Sequence, residues 1–318
     1  MSCGITRRTF LEIAGGAAVG THIRRQKPTY TLEPGPNGKI LKDPAGHVVL
    51  AYLTSKPEGL AGNSACCIHP LNTLAGERVT DLAPPDHKDH RGLFFAWHNV
   101  EFRKGADLLK GDFWGWGRYA PVEDRVIVSK EVRLVRADAR TADLAVTNDW
   151  MIGQKAVMRE AVTIGVSEER GARVLDLSYR FTSDYDVVVN QMAFTGVCLR
   201  CRKEGPYTFF DPNGEVKLPD STATNPASDW PSQPWYSHQV TLPDGKVLAS
   251  ALIDHPANPA SLWHGARGVS FLNPCISAAQ PVQIPAGKPL ALRYRALALD
   301  GPFPAGMLDQ MATSWRLK

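Results

Sequence analysis

The 318-residue chain has no run of eighteen apolar residues, so no membrane-spanning helix can be read from it. It contains no G-x-S-x-G elbow, no Walker loop, no H-E-x-x-H helix and no dinucleotide fingerprint between a strand and a helix. A nucleophilic serine hydrolase and a phosphate-loop enzyme are therefore disfavoured. No block of Lys or Arg follows Lys27, so a nucleic-acid partner is not expected. Helical periodicity is almost absent as well. With 43% hydrophobic and 21% charged residues, the composition argues against disorder and against a coiled coil.

The basic excess is small and local. The formal net charge is +4, from 36 basic and 32 acidic side chains. Removing Arg7, Arg8, Arg24, Arg25 and Glu12 of the first 25 residues leaves 32 basic and 31 acidic, a net of +1. Thr6-Arg7-Arg8-Thr9-Phe10-Leu11-Glu12, followed by the Gly/Ala-rich Ile13–Gly20, reads as a twin-arginine-type signal over residues 1–25. A short amphipathic helix is the alternative. The signal reading places the protein in the periplasm or outside the cell, with residues 26–318 as a single domain. Of the six cysteines, Cys66 and Cys67 are adjacent, and Cys198 and Cys201 form a C-x-x-C without a second pair to complete a zinc site. They read as packed thiols.

What the chain does have is period two. Gly46–Leu53, Arg125–Val128, Val132–Val135, Ala142–Asn148, Ala156–Ile164, Val174–Phe181, Val187–Val197, Lys246–Ile253 and Pro289–Leu299 alternate and are bounded by Gly, Pro, Asp or Asn. They predict strands. Their spacing predicts an all-β fold, a large antiparallel β-sandwich. Met307, Leu308, Met311 and Trp315 recur at helical spacing and predict one short C-terminal helix, with Pro304 in its first turn. Residues 60–120 and 203–236 are expected to be long loops, where sites tend to lie.

The densest polar cluster is Asp86-His87-Lys88-Asp89-His90-Arg91-Gly92, running into the apolar Leu93–Trp97. Ionisable groups at the edge of a buried strand can have shifted pKa values and suit acid–base work. Three readings stand open. His87 and His90 could ligate a divalent metal with His69 or an aspartate as third donor. They could be a general acid and a positioning group, with Asp86 beside them and Arg91 clamping an anion or hydroxyl pair. Or the cluster could be a structural salt-bridged loop. A second cluster, Asp254-His255-Pro256-Ala257-Asn258-Pro259 with Trp263-His264, repeats Asp-His at a strand end, and the two loops could meet at one end of a sandwich. Trp97 and Trp114 offer faces that stack on sugar rings as readily as they fill a core.

His69-Pro70-Leu71, the Asp86–Leu93 segment, Gly111-Asp112-Phe113-Trp114, the Asp254–Pro259 segment with Trp263-His264, and Gly287-Lys288-Pro289-Leu290 with Leu292–Arg295 resemble the bacterial methane oxygenase PmoA-like family of uncharacterised proteins, over roughly residues 35–315. The label names a membrane subunit, and a chain without a spanning segment does not carry that chemistry over. The resemblance implies a β-sandwich of the large mutarotase-like kind that handles carbohydrates. The expectation is an exported carbohydrate-active enzyme with His87, His90, Arg91 and Asp86 as catalytic residues. His69, Trp97, Trp114, Asp254, His255, Asn258 and His264 are the expected substrate contacts. The alternatives are a metal-dependent oxygenase-like enzyme with His69, His87 and His90 as ligands, and a non-catalytic sugar-binding module. A single site requires His69, His87, His90 and His255 to lie close together. The expected partner is a small molecule of carbohydrate type.

Overall fold

Alternating side chains commit most of this chain to strands. In the computed structural model they form three antiparallel sheets and one helix; residues 1, 28–217, 230–266 and 268–317 are described. The twin-arginine segment (residues 2–25) lies outside the described residues. The first sheet has eight strands, in spatial order Thr31–Gly35, Gly38–Lys42, Val48–Leu53, Cys67–Leu71, Leu93–Ala96, Gly196–Arg200, Val269–Cys275 and Leu262–Ala266. The second has nine: Gly214–Glu215, Tyr207–Asp211, Trp235–Thr241, Val247–Asp254, Leu290–Asp300, Ala172–Thr182, Lys155–Glu169, Ala142–Ile152 and Arg125–Ala137. A third, of four, runs Val282–Ile284, Asp186–Val189, Val100–Lys104 and Asp107–Gly111. The architecture is an all-β sandwich with a short C-terminal helix, Met307–Arg316.

The second sheet is covered on both sides, and the pleat shows how. Along Val247–Asp254, Leu248 and Leu252 enter the main core between the sheets, while Ala249, Ala251 and Ile253 face a second core under the helix. Leu292, Tyr294, Ala296 and Ala298 divide from Leu297 and Leu299 in the same way. Successive side chains point to opposite faces, so a strand buried on both must be apolar at nearly every position. Met307, Leu308, Met311, Ala312 and Trp315 form the helix face that closes the outer core.

Several boundaries differ from the sequence expectation. Arg125–Val128 and Val132–Val135 are one strand, Arg125–Ala137, whose pairing shifts register between Ser129 and Glu131; a bulge moves the alternation without ending the strand. Val187–Val197 is the reverse case. It breaks into Asp186–Val189 and Gly196–Arg200, two strands in different sheets. Asn190 donates its backbone N–H to the Asn99 carbonyl at 3.1 Å, and Gly196 takes φ +85°, which turns Phe194 out of any ladder. Residues 60–120 contain four strands, and 203–236 contain two more and the start of a third. Pro304 precedes the helix, its carbonyl accepting the Met307 N–H at 3.0 Å. All five described cysteines are free and buried, and burial pushes their thiols well above the usual range.

Candidate functional site

The loop before strand Leu93–Ala96 is folded by its own sequence. Pro84 and Pro85 favour a turn start: the His87 N–H donates to the Pro84 carbonyl and the His90 N–H to the His87 carbonyl, both at 3.0 Å. The loop is closed at its base by the Ala83 N–H on the His90 carbonyl at 2.8 Å. Two successive turns of this kind bring positions three apart onto one side. The His87 and His90 rings stack at 4.6 Å between centroids, 24° from parallel. Gly92 ends the motif at φ +60°, where a Cβ would collide with the Ile68 carbonyl oxygen; only glycine fits that approach.

His87 and His90 form one wall of a cavity of about 170 Å³, lined also by Asp89, Trp114, Trp116, Arg118, Phe194, His264, Val269 and Phe271. Trp114, Trp116 and Arg118 come from the loop after strand Asp107–Gly111, Phe194 from the break described above, and His264, Val269 and Phe271 from the edge of the first sheet. Trp114 is 1% exposed, whereas Trp116 is 42% exposed and sits at the mouth.

The two imidazoles are held in opposite tautomers. His87 Nδ1 lies 3.2 Å from Asp86 Oδ2. A carboxylate only accepts, so in a neutral ring this nitrogen carries the proton and Nε2 keeps its lone pair. The buried Arg200 guanidinium lies 3.4 Å from His90 Nδ1. A guanidinium only donates, so Nδ1 accepts and a neutral ring carries its proton on Nε2. His90 is neutral because burial, then Arg200 and His87, push its pKa well below the usual value. Arg200 Nη2 also reaches both Asp86 oxygens at 2.8 and 2.7 Å, and Lys203 Nζ lies 3.2 Å away. Burial raises the Asp86 carboxyl, but Arg200, His87 and Lys203 outweigh it and hold the group well below the carboxylate range. Burial raises Asp89, the one carboxyl among the described residues lining the cavity.

The remaining expected site residues divide sharply. His264 lines the cavity, its ring 5.0 Å from Phe194 and 5.6 Å from Phe271. Arg91 does not: it is fully buried, and its guanidinium donates to the carbonyls of Asp89, Trp114 and Phe113 at 3.3, 3.0 and 3.2 Å, over the Phe94 ring. It is a strut between the two site loops, not a clamp on substrate. Trp97 is fully buried among Phe95, Trp150 and Phe181, a core residue with no face for a ligand. His69 bonds Thr80 at 3.0 Å and is outside the cavity. His255 packs edge-on against Trp315 with Arg293 on its Nε2 at 3.2 Å, and Asp254 and Asn258 bond each other beside it. The four-histidine grouping is thus not formed. Among the described residues no three His, Cys, Asp or Glu side chains are arranged to hold a metal.

Arg118, Phe194, Phe271 and Val269 are lining residues that the sequence reading did not select. Phe194 carries no local signal; it is set by His98, fully buried, whose Nε2 meets the Phe194 carbonyl at 2.5 Å while its backbone N–H reaches Thr195 Oγ1 at 3.2 Å.

Comparison with known proteins decides the family. The chain belongs to the family of unknown function DUF6807, which matches residues 43–313. No curated protein matches it. Among solved structures it is similar to a galactose mutarotase related enzyme from Lactobacillus acidophilus, at 7% identity and a TM-score of 0.37, over 85% of this chain and 97% of that one. It is similar at 11% identity and a TM-score of 0.38 to the Slr1438 protein of Synechocystis sp. PCC 6803, over 86% of this chain and 96% of that one. A GH36 alpha-galactosidase from Geobacillus stearothermophilus in complex with raffinose aligns at 9% identity and a TM-score of 0.39, over 87% of this chain but 40% of its own length.

Proposed function

We propose that this DUF6807 member is a carbohydrate-active enzyme performing proton transfer on a single sugar ring. His87 is the base and His90 the hydrogen-bond donor. The observation that carries this reading is the pair of stacked imidazoles with opposite tautomers at the wall of an aromatic cavity. One ring offers a lone pair and its neighbour an N–H, so a proton can leave one atom while charge on an adjacent oxygen is stabilised. Asp86, fixed by Arg200 and Lys203, orients His87 as a carboxylate orients histidine in general-base pairs. Trp116 and Phe194, the more open aromatics of the wall, supply the apolar faces that sugar rings stack on, with Trp114 and Phe271 packed behind them. The cavity, at about 170 Å³, is smaller than the roughly 300–1,000 Å³ of drug-sized sites, which suits one ring.

Glycoside hydrolysis by displacement or by an activated water commonly uses two carboxyl groups flanking the bond, and among the described residues Asp89 is the one carboxyl that lines the cavity. Isomerisation or elimination needs only a base and a donor, and that is the favoured class. The twin-arginine segment supports placing the activity outside the cytoplasm, and no helix among the described residues is long and apolar enough to cross a membrane.

The test is a panel of reducing sugars and glycosides followed by NMR, with wild type and His87→Ala. Turnover is expected to fall by about 10² or more on losing the base, with the melting temperature nearly unchanged because His87 is about a third exposed (35%). Sugar-induced stabilisation with no product from wild type would make the protein a binding module and end the enzymatic reading.

A further inference from the structure

Arg118 is the one permanent cation among the described residues that line the cavity, and no described carboxylate pairs with it. Its guanidinium lies 5.2 Å from the Trp116 ring centre and 5.8 Å from that of Tyr119. Aromatic contacts of this kind order a guanidinium without using its in-plane donors. Among the described residues it has no ion pair, although Glu123 lines the open depression next to it. The other cations of the site are already matched: Arg200 and Lys203 both sit on Asp86, and Arg91 is spent on carbonyls. Asp89, the lining carboxyl, is shifted by burial toward its neutral form. The cavity therefore combines an aromatic floor and a histidine pair with an unspent planar fork at one rim.

We infer that the ligand is an acidic sugar, a single ring bearing a carboxylate, with Arg118 as the residue that selects it. A guanidinium pairs with a carboxylate through two parallel N–H···O bonds, and the ring would lie across Trp116 with its reacting carbon toward His87. This rests on the carbohydrate reading above and narrows it to one substrate class. Arg118 acts on specificity and is not assigned a proton-transfer role.

Calorimetric titration with D-glucuronate and D-galacturonate, against D-glucose and D-galactose at the same low salt, tests it. The uronates are expected to bind about tenfold tighter or more than the parent hexoses, the low end of what a hydrogen bond to a charged group contributes. Arg118→Gln should bring that ratio toward one, and Arg118→Lys should restore part of it, because an ammonium keeps the charge and loses the fork. Melting curves of both variants confirm that the fold is kept. Hexoses bound as tightly as uronates by wild type, or a ratio unchanged in Arg118→Gln, would overturn the inference and leave the carbohydrate reading standing. Binding of none of the four sugars would remove both.

Discussion

His87 and His90 have the same side chain three positions apart, yet the fold gives them different work. His87 keeps about a third of its surface, with 35% exposed, while His90 is 3% exposed and packed edge-on against Trp114 and Phe271. Replacing His90 by Ala removes packing and leaves a buried Arg200 N–H without its acceptor, so a loss of about 2–3 kcal/mol in urea unfolding is expected. His87→Ala, at the more open position, should lose less, about 1 kcal/mol. Equal losses would show that the two rings are both structural. The D-H-x-x-H pattern was legible as a cluster of ionisable groups, but this division was not. Nor was the division between Trp97 and Trp114. Both are indoles beside apolar runs, and only tertiary packing sends one among Phe95, Trp150 and Phe181 and the other to the cavity wall. Arg91 misled for a related reason: beside two histidines an arginine reads as a ligand group, and its burial depends on carbonyls more than twenty positions away.

At the scale of elements, the site is made by two loops and one broken strand. Arg91 ties the loop carrying His87 and His90 to the carbonyls of Phe113 and Trp114, and so sets where Trp114 and Trp116 stand. Lysine cannot reproduce three separated N–H contacts from a single ammonium. Arg91→Lys is therefore expected to lower the melting temperature by about 2 °C or more, the shift that a loss of about 1 kcal/mol produces in a domain of this size. It should also weaken sugar binding in the same protein, measured by titration. A stable variant with full affinity would remove the strut from the site. Strand identity was legible wherever alternation was clean, as in Ala172–Thr182 and Leu290–Asp300. It failed where a bulge shifted the phase, at Ser129–Glu131, and where the chain left one sheet for another between Val189 and Gly196. Neither event changes composition, so neither leaves a local signal.

The whole molecule carries a pH dependence set by its interior. Glu160 is buried, accepting from Trp150 Nε1 at 2.8 Å and Asn148 Nδ2 at 3.0 Å, with Asn148 also donating to Tyr52 of the opposite sheet. Burial pushes its pKa up to about 7, against an ordinary 4.5. The folded state then holds the proton more tightly than the unfolded chain. Its contribution to stability is complete below about 4.5 and is lost as pH rises through about 7, by roughly 3 kcal/mol. Asp254, raised by burial to about 6, acts in the same direction. His69 and His238, lowered by burial to about 4 and about 3, act oppositely: they favour the neutral form, so stability falls as pH drops below their ordinary 6.5. Stability should therefore peak near neutrality. Glu160→Gln isolates one side of that curve, and its melting temperature relative to wild type should rise steadily from pH 5 to pH 8. A constant difference would mean that Glu160 is ionised throughout.

By itself the sequence determined the fold class, because alternation at period two is a local property that burial on a sheet face selects. It also determined the C-terminal helix, from apolar residues at helical spacing, and singled out the loop that forms one wall of the candidate cavity, from ionisable groups placed against an apolar strand. The tertiary structure alone decided which of those groups share a cavity. It joined Arg118, Phe194, His264 and Phe271 to His87 and His90, and set His69, Trp97, Arg91 and His255 apart. Proximity between residues a hundred or more positions apart is a consequence of strand order and sheet packing, and side-chain type carries no record of either.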